Sequence, residues 1–106
     1  MWKIDDNGNA YNPDTGEKIW CFKEHGNWFI HRTEFVKTKK WRGYEEKPFA
    51  TFPKSYSEEY ARESLFRHVD TLNLHAMFPN MSVKEERLEL EARARDRKKL
   101  KMFSLF

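Results

Sequence analysis

The sequence predicts an α+β protein: a small N-terminal antiparallel β-meander, an extended crossover, and two C-terminal helices. Three observations carry this. Turn signals recur every eight to ten residues in the first third of the chain, with short aromatic and isoleucine-rich segments between them. A prolyl stretch without a stable period follows. Helical spacing and two capping boxes occupy the remainder.

The turn signals are Asp6-Asn7-Gly8-Asn9, Asn12-Pro13-Asp14-Thr15-Gly16 and His25-Gly26-Asn27. Glycine and asparagine supply the positive φ that tight hairpins need. Between them, Trp2–Ile4, Ala10–Tyr11, Glu17–Phe22 and Trp28–Val36 read as three or four strands within about residues 2–36. Ile19, Cys21 and Lys23 alternate with Trp20 and Phe22. Both faces carry bulk, so one is expected to meet the helices and the other a partner.

Residues 37–56 (KTKKWRGYEEKPFATFPKSY) read as the crossover, because Pro48 and Pro53 each lack a ladder N–H. Five rings lie in it: Trp41, Tyr44, Phe49, Phe52 and Tyr56. Either they pin the segment to the domain, or Trp41 and Tyr44 stack on bases beside the cations Arg32, Lys37, Lys39, Lys40 and Arg42.

A helix is predicted over about 57–77. Ser55 and Ser57 are alternative caps, and Ala61, Leu65, Val69, Leu72 and Ala76 form its apolar stripe. Residues 1–78 are therefore expected to form a compact α+β domain. Ser82-Val83-Lys84-Glu85 begins a second helix, with Glu89–Arg93 and Glu91–Arg95 as supporting pairs. Its apolar stripe is poor, so residues 82–106 are expected to form a charged helix with an apolar tail that projects or is covered by a partner. Residues 84–91 hold two bases and four acids, whereas 93–101 hold six bases and one acid. That order complements a helix dipole. It also offers Arg93, Arg95, Arg97, Lys98, Lys99 and Lys101 to phosphate or an acidic surface. The tail residues Leu100, Met102, Phe103, Leu105 and Phe106 are the candidate partner anchors, the alternative being that Phe103 and Phe106 fold back to complete a thin core.

Composition narrows the function. Charged residues make up 35% of the 106 and aromatics 16%, and the net charge is +3. No run approaches the ~20 apolar residues of a membrane span, so no membrane partner is expected. The N-terminus lacks a signal-peptide pattern. A cytoplasmic, nucleoid-associated or virion location is therefore expected, not a secreted one. Cys21 is the single cysteine, which excludes an internal disulfide. Cys21, His25, His31, His68 and His75 lack the tight ligand pairs of a zinc site, so no metal or cofactor is expected. No phosphate loop or triad spacing is present, and no catalytic residue is assigned.

Two short resemblances add to this. Gly8 to Trp20 resembles the second hairpin of WW domains through Tyr11, Asn12, Thr15 and Trp20. That likeness implies that Tyr11 and Trp20 grip a proline-rich ligand. The tail resembles the peptide by which bacterial and phage replication proteins hold the sliding clamp. Ser104, Leu105 and Phe106 match its last three positions, and Met102 stands where glutamine is expected. It implies a sliding clamp as partner. The functional expectation is a non-enzymatic, basic adaptor or accessory subunit of a nucleic-acid-associated assembly, docking through its C-terminal helix and tail. Direct nucleic-acid binding through residues 32–44 is the first alternative, and a structural subunit of a virion or other large complex is the second.

Overall fold

The structure is a computed structural model and describes residues 1–53 and 56–104, with residues 102–104 described by backbone alone. Five strands precede two helices: β1 (Lys3–Ile4), β2 (Ala10–Tyr11), β3 (Lys18–Glu24), β4 (Asn27–Lys37), β5 (Arg42–Phe52), α1 (Glu58–Met77) and α2 (Val83–Ser104). The strands form one antiparallel sheet in sequential order, so the meander and the α+β class are as the turn spacing predicts. The chain divides into two compact units, residues 1–66 and 67–106.

In the first unit, register assigns the two sheet faces. Ala10 opposes Ile19, and Cys21 opposes Ile30, so these four share a face. All four are buried, along with Ala61 and Leu65 from the first turns of α1. Ile19, Ile30 and Leu65 are fully enclosed. Each such side chain contributes about 1.5–3 kcal/mol relative to exposure. Arg62 donates to the Gly8 carbonyl and to Asn9 Oδ1, both at 3.2 Å, and Tyr60 meets Phe52 edge-on at 5.7 Å. These contacts tie the start of α1 to the sheet. The β3–β4 turn places His25 at φ 52° and Gly26 at φ 83°, the two positive values a two-residue primed turn requires.

The expected crossover over 37–56 is corrected. Residues 42–52 form β5, paired with β4 from Lys37↔Arg42 to Trp28↔Phe52. The prolines misled because a strand at the sheet edge need not donate on both sides. Pro48 lies in that edge strand, beside a register shift at Ile30/His31 where Phe49 is the extra residue, and such a bulge also tolerates proline. The three or four expected strands become five for the same reason, with β1 and β2 only two residues each.

The helix expected over 57–77 is α1. Ser57 caps it, accepting the Tyr60 N–H at 3.1 Å; Ser55 lies outside the described residues. In the second unit, Ser82 caps α2 by accepting the Glu85 N–H at 3.1 Å. His75 pairs with Glu86 at 2.7 Å, while Asp70 meets Arg93 at 3.7 Å and Arg97 at 2.5 Å. Partners that descend along α1 as they ascend along α2 define an antiparallel helical hairpin. Val69, Leu74 and Leu90 are its buried apolar residues.

Candidate nucleic-acid interface

β4 and β5 outrun the sheet. β3 pairs with β4 only as far as Arg32, and the hydrogen bond from Lys18 N to Thr33 Oγ1 (2.8 Å) ends that seam. Beyond it, 34–37 and 42–45 continue as a two-stranded arm. Thr38 closes its tip. The Thr38 N–H donates to the Trp41 carbonyl at 2.7 Å, and the Trp41 N–H donates to Thr38 Oγ1 at 3.0 Å. This geometry lifts Lys37, Lys39, Lys40 and Arg42 into solvent at one end of the sheet. None of the four forms a salt bridge among the described residues, although the adjoining Glu34 is taken by Lys47 at 2.8 Å. The hydrogen bond and charge of Lys47 hold Glu34 below the ordinary carboxylate range, and Glu34 likewise raises Lys47. Arg32, grouped with these cations in the sequence, instead lies 3.8 Å from Glu17.

The two stacking candidates fall on opposite faces of the arm. Tyr44 opposes Phe35, and their rings meet edge-on at 5.5 Å, both nearly half exposed. The Tyr44 hydroxyl donates to the Thr15 carbonyl, which anchors the arm to the β2–β3 loop. Trp41 lies over Gly43 instead, where a Cβ would come within 2.9 Å of the indole. Gly43 therefore makes room for that ring.

The Tyr44 face continues across the sheet. Tyr11 opposes Lys18, whose N–H donates to Thr33 Oγ1, and Thr33 opposes Glu46, while Trp20, His31 and Pro48 form the next row across β3 to β5. His31 Nδ1 lies 2.8 Å from Glu46 Oε1, and its ring meets Phe22 edge-on at 4.7 Å. Phe22 stacks on Phe29 at 5.3 Å. A recess of ≈ 310 Å³ opens at the corner of this face, lined by Asp5, Asn9, Ala10, Tyr11, Lys18 and Trp20. Phe35 and Lys18 carry no site reading in the sequence, whereas Trp20 enters it only through the WW likeness and His31 only as a metal ligand set aside. The period-two alternation along 17–24 and 27–37 was the signal that places them on one face.

The basic residues of α2 divide. Arg93 and Arg97 turn to Asp70, and Arg93 also pairs with Glu89 at 3.5 Å. Arg95, Lys98, Lys99 and Lys101 are exposed, and Leu100 is 70% exposed beside them. The side chains of Met102 and Phe103, and all of Leu105 and Phe106, lie outside the described residues. Among the described residues, no group of three or more His, Cys, Asp or Glu is placed to hold a metal. No helix among them is long and apolar enough to cross a membrane.

No family model matches the chain, and neither a curated protein nor a solved structure matches it significantly. The likenesses to a WW hairpin and to a clamp-binding tail therefore rest on the residues quoted for them alone.

Proposed function

We propose that this chain is a non-enzymatic nucleic-acid-binding module that makes its electrostatic contact through the β4–β5 arm. One observation carries the reading: Lys37, Lys39, Lys40 and Arg42 stand together at the arm's tip without an acidic partner among the described residues, next to the exposed rings of Phe35, Trp41 and Tyr44. Uncompensated cations neutralise phosphates and release counterions, and exposed rings offer faces to bases. The four cations exceed the net charge of +3, so the tip is far more basic than the molecule as a whole. The test is fluorescence anisotropy of a labelled oligonucleotide at low salt. Replacing Lys39, Lys40 and Arg42 by glutamate lowers affinity by roughly tenfold or more, with circular dichroism unchanged. Unaltered affinity in that folded variant removes the arm from the contact.

A second reading is an adaptor that docks on a protein partner through α2. Exposed Leu100 among Arg95, Lys98 and Lys99 favours it, since an apolar anchor ringed by charge suits a partner's pocket. Deleting residues 102–106 then abolishes partner capture while the thermal transition stays in place. A sliding clamp is the first partner to try, by the tail's resemblance.

A further inference from the structure

We infer that the nucleic acid held by the arm is single-stranded and that one of its bases sits in the recess between Tyr11 and Trp20. This rests on the arm as the phosphate contact and adds the part of the ligand that the arm does not reach. The recess and the arm belong to one face. Tyr44 stands on the arm, its hydroxyl is fastened to Thr15, and Tyr11 and Lys18 flank the loop that contains Thr15. From β5 to β2 is three strand spacings, about 14 Å, a distance that a few nucleotides cover.

The lining suits a base. Tyr11 and Trp20 provide ring surface, and their elements fix them. Tyr11 is held in register with Lys3 and Lys18, and Trp20 stands 6.0 Å from the His31 ring. Asp5 supplies a carboxylate that the Asn7 and Asn9 N–H groups hold at 2.9 and 3.0 Å, so an acceptor for a base's exocyclic amine stays at the recess. Lys18 supplies a cation for the flanking phosphate. At ≈ 310 Å³ the recess lies at the small end of ligand pockets. A duplex keeps its bases paired and stacked inside and presents none to such a recess. A single strand presents them, and stacking on aromatic side chains is how such strands are held without a sequence code.

The experiment uses the intact chain with three labelled probes: a mixed-sequence single strand, the same sequence as a blunt duplex, and a proline-rich peptide. The wild type is expected to bind the single strand most tightly. Tyr11→Ala, at an exposed position, and Trp20→Leu weaken single-strand binding by roughly fivefold to a hundredfold and leave duplex binding unchanged. Quenching of tryptophan emission by the single strand is reduced in Trp20→Leu, with the share from Trp41 at the arm remaining. Duplex binding as tight as single-strand binding overturns the inference but leaves the arm's role standing. So does full single-strand affinity in Tyr11→Ala. Binding of the peptide alone, or of neither nucleic acid, overturns both.

Discussion

Cys21 lies on the buried face of β3, and its backbone N–H is taken by Asn9 Oδ1 at 3.1 Å. Burial pushes the thiol above its ordinary value, with Arg62 acting the other way. A thiol that is both enclosed and held protonated reacts only when the sheet opens. Iodoacetamide at pH 8 is therefore expected to label the native chain far more slowly than the denatured chain, and equal rates would mean that β3 is not part of the core. Cys21→Ser puts a hydroxyl in the same place, and an unsatisfied buried donor costs about 1–3 kcal/mol. Glu34 and Lys47 make a second, solvent-exposed case. The carboxylate is held low and the ammonium high, each first by their shared hydrogen bond. The carboxylate's share of stability is complete above its ordinary value of 4.5 and is lost as pH falls through its depressed folded value. The ammonium's share is complete below 10.5 and is lost as pH rises through its raised folded value. Melting curves of the native chain and Glu34→Gln should differ between those limits and converge at both ends.

At the level of elements, one carboxylate joins α1 to two arginines of α2. Asp70 is 16% exposed and receives both Arg93 and Arg97. Removing it leaves two guanidinium groups beside each other without their shared acceptor. Asp70→Ala should cost about 1.5–3 kcal/mol, the range for hydrogen bonds to charged groups, read from urea denaturation. A loss within the noise would mean that Leu74 and Leu90 hold the hairpin unaided. In the sequence, Arg93 and Arg97 group with the phosphate-facing bases, because charge order along one helix does not reveal what the helix before it presents. The caps were legible: a serine three residues before a glutamate or tyrosine N–H satisfies a local backbone donor, and Ser57 and Ser82 do so. So were the buried Ile19 and Cys21, through strand alternation. β5 was hidden because its partner strand supplies the pairing, and an edge strand can hold proline, paired glutamates and lysines that propensity alone assigns to a loop. The separation of Trp41 from Tyr44 was equally hidden, since it follows from the ring lying back over Gly43.

Across the whole molecule, the small surplus of charge conceals two separate basic regions, one at the arm and one along residues 93–101. Their roles separate by salt dependence. Each phosphate neutralised on a single strand adds about −0.7 to the slope of log K against log salt, so four arm contacts give roughly −2.8. Lys39→Ala with Lys40→Ala should reduce the magnitude of that slope by about 1.4, whereas Lys98→Ala with Lys99→Ala should leave it unchanged. Alanine is the right replacement here, because it removes contacts without adding repulsion that would itself vary with salt. A drop in slope from the α2 pair, with none from the arm pair, would move the phosphate contact to α2 and make the arm's cations a solvated surface. Equal drops from both would mean that one strand reaches both regions. The affinity remaining at high salt isolates what screening cannot remove, namely the rings. If a base is stacked on Tyr11 and Trp20, that residual persists in the Lys39/Lys40 variant and falls in Tyr11→Ala, so charge and stacking can be read from one set of titrations.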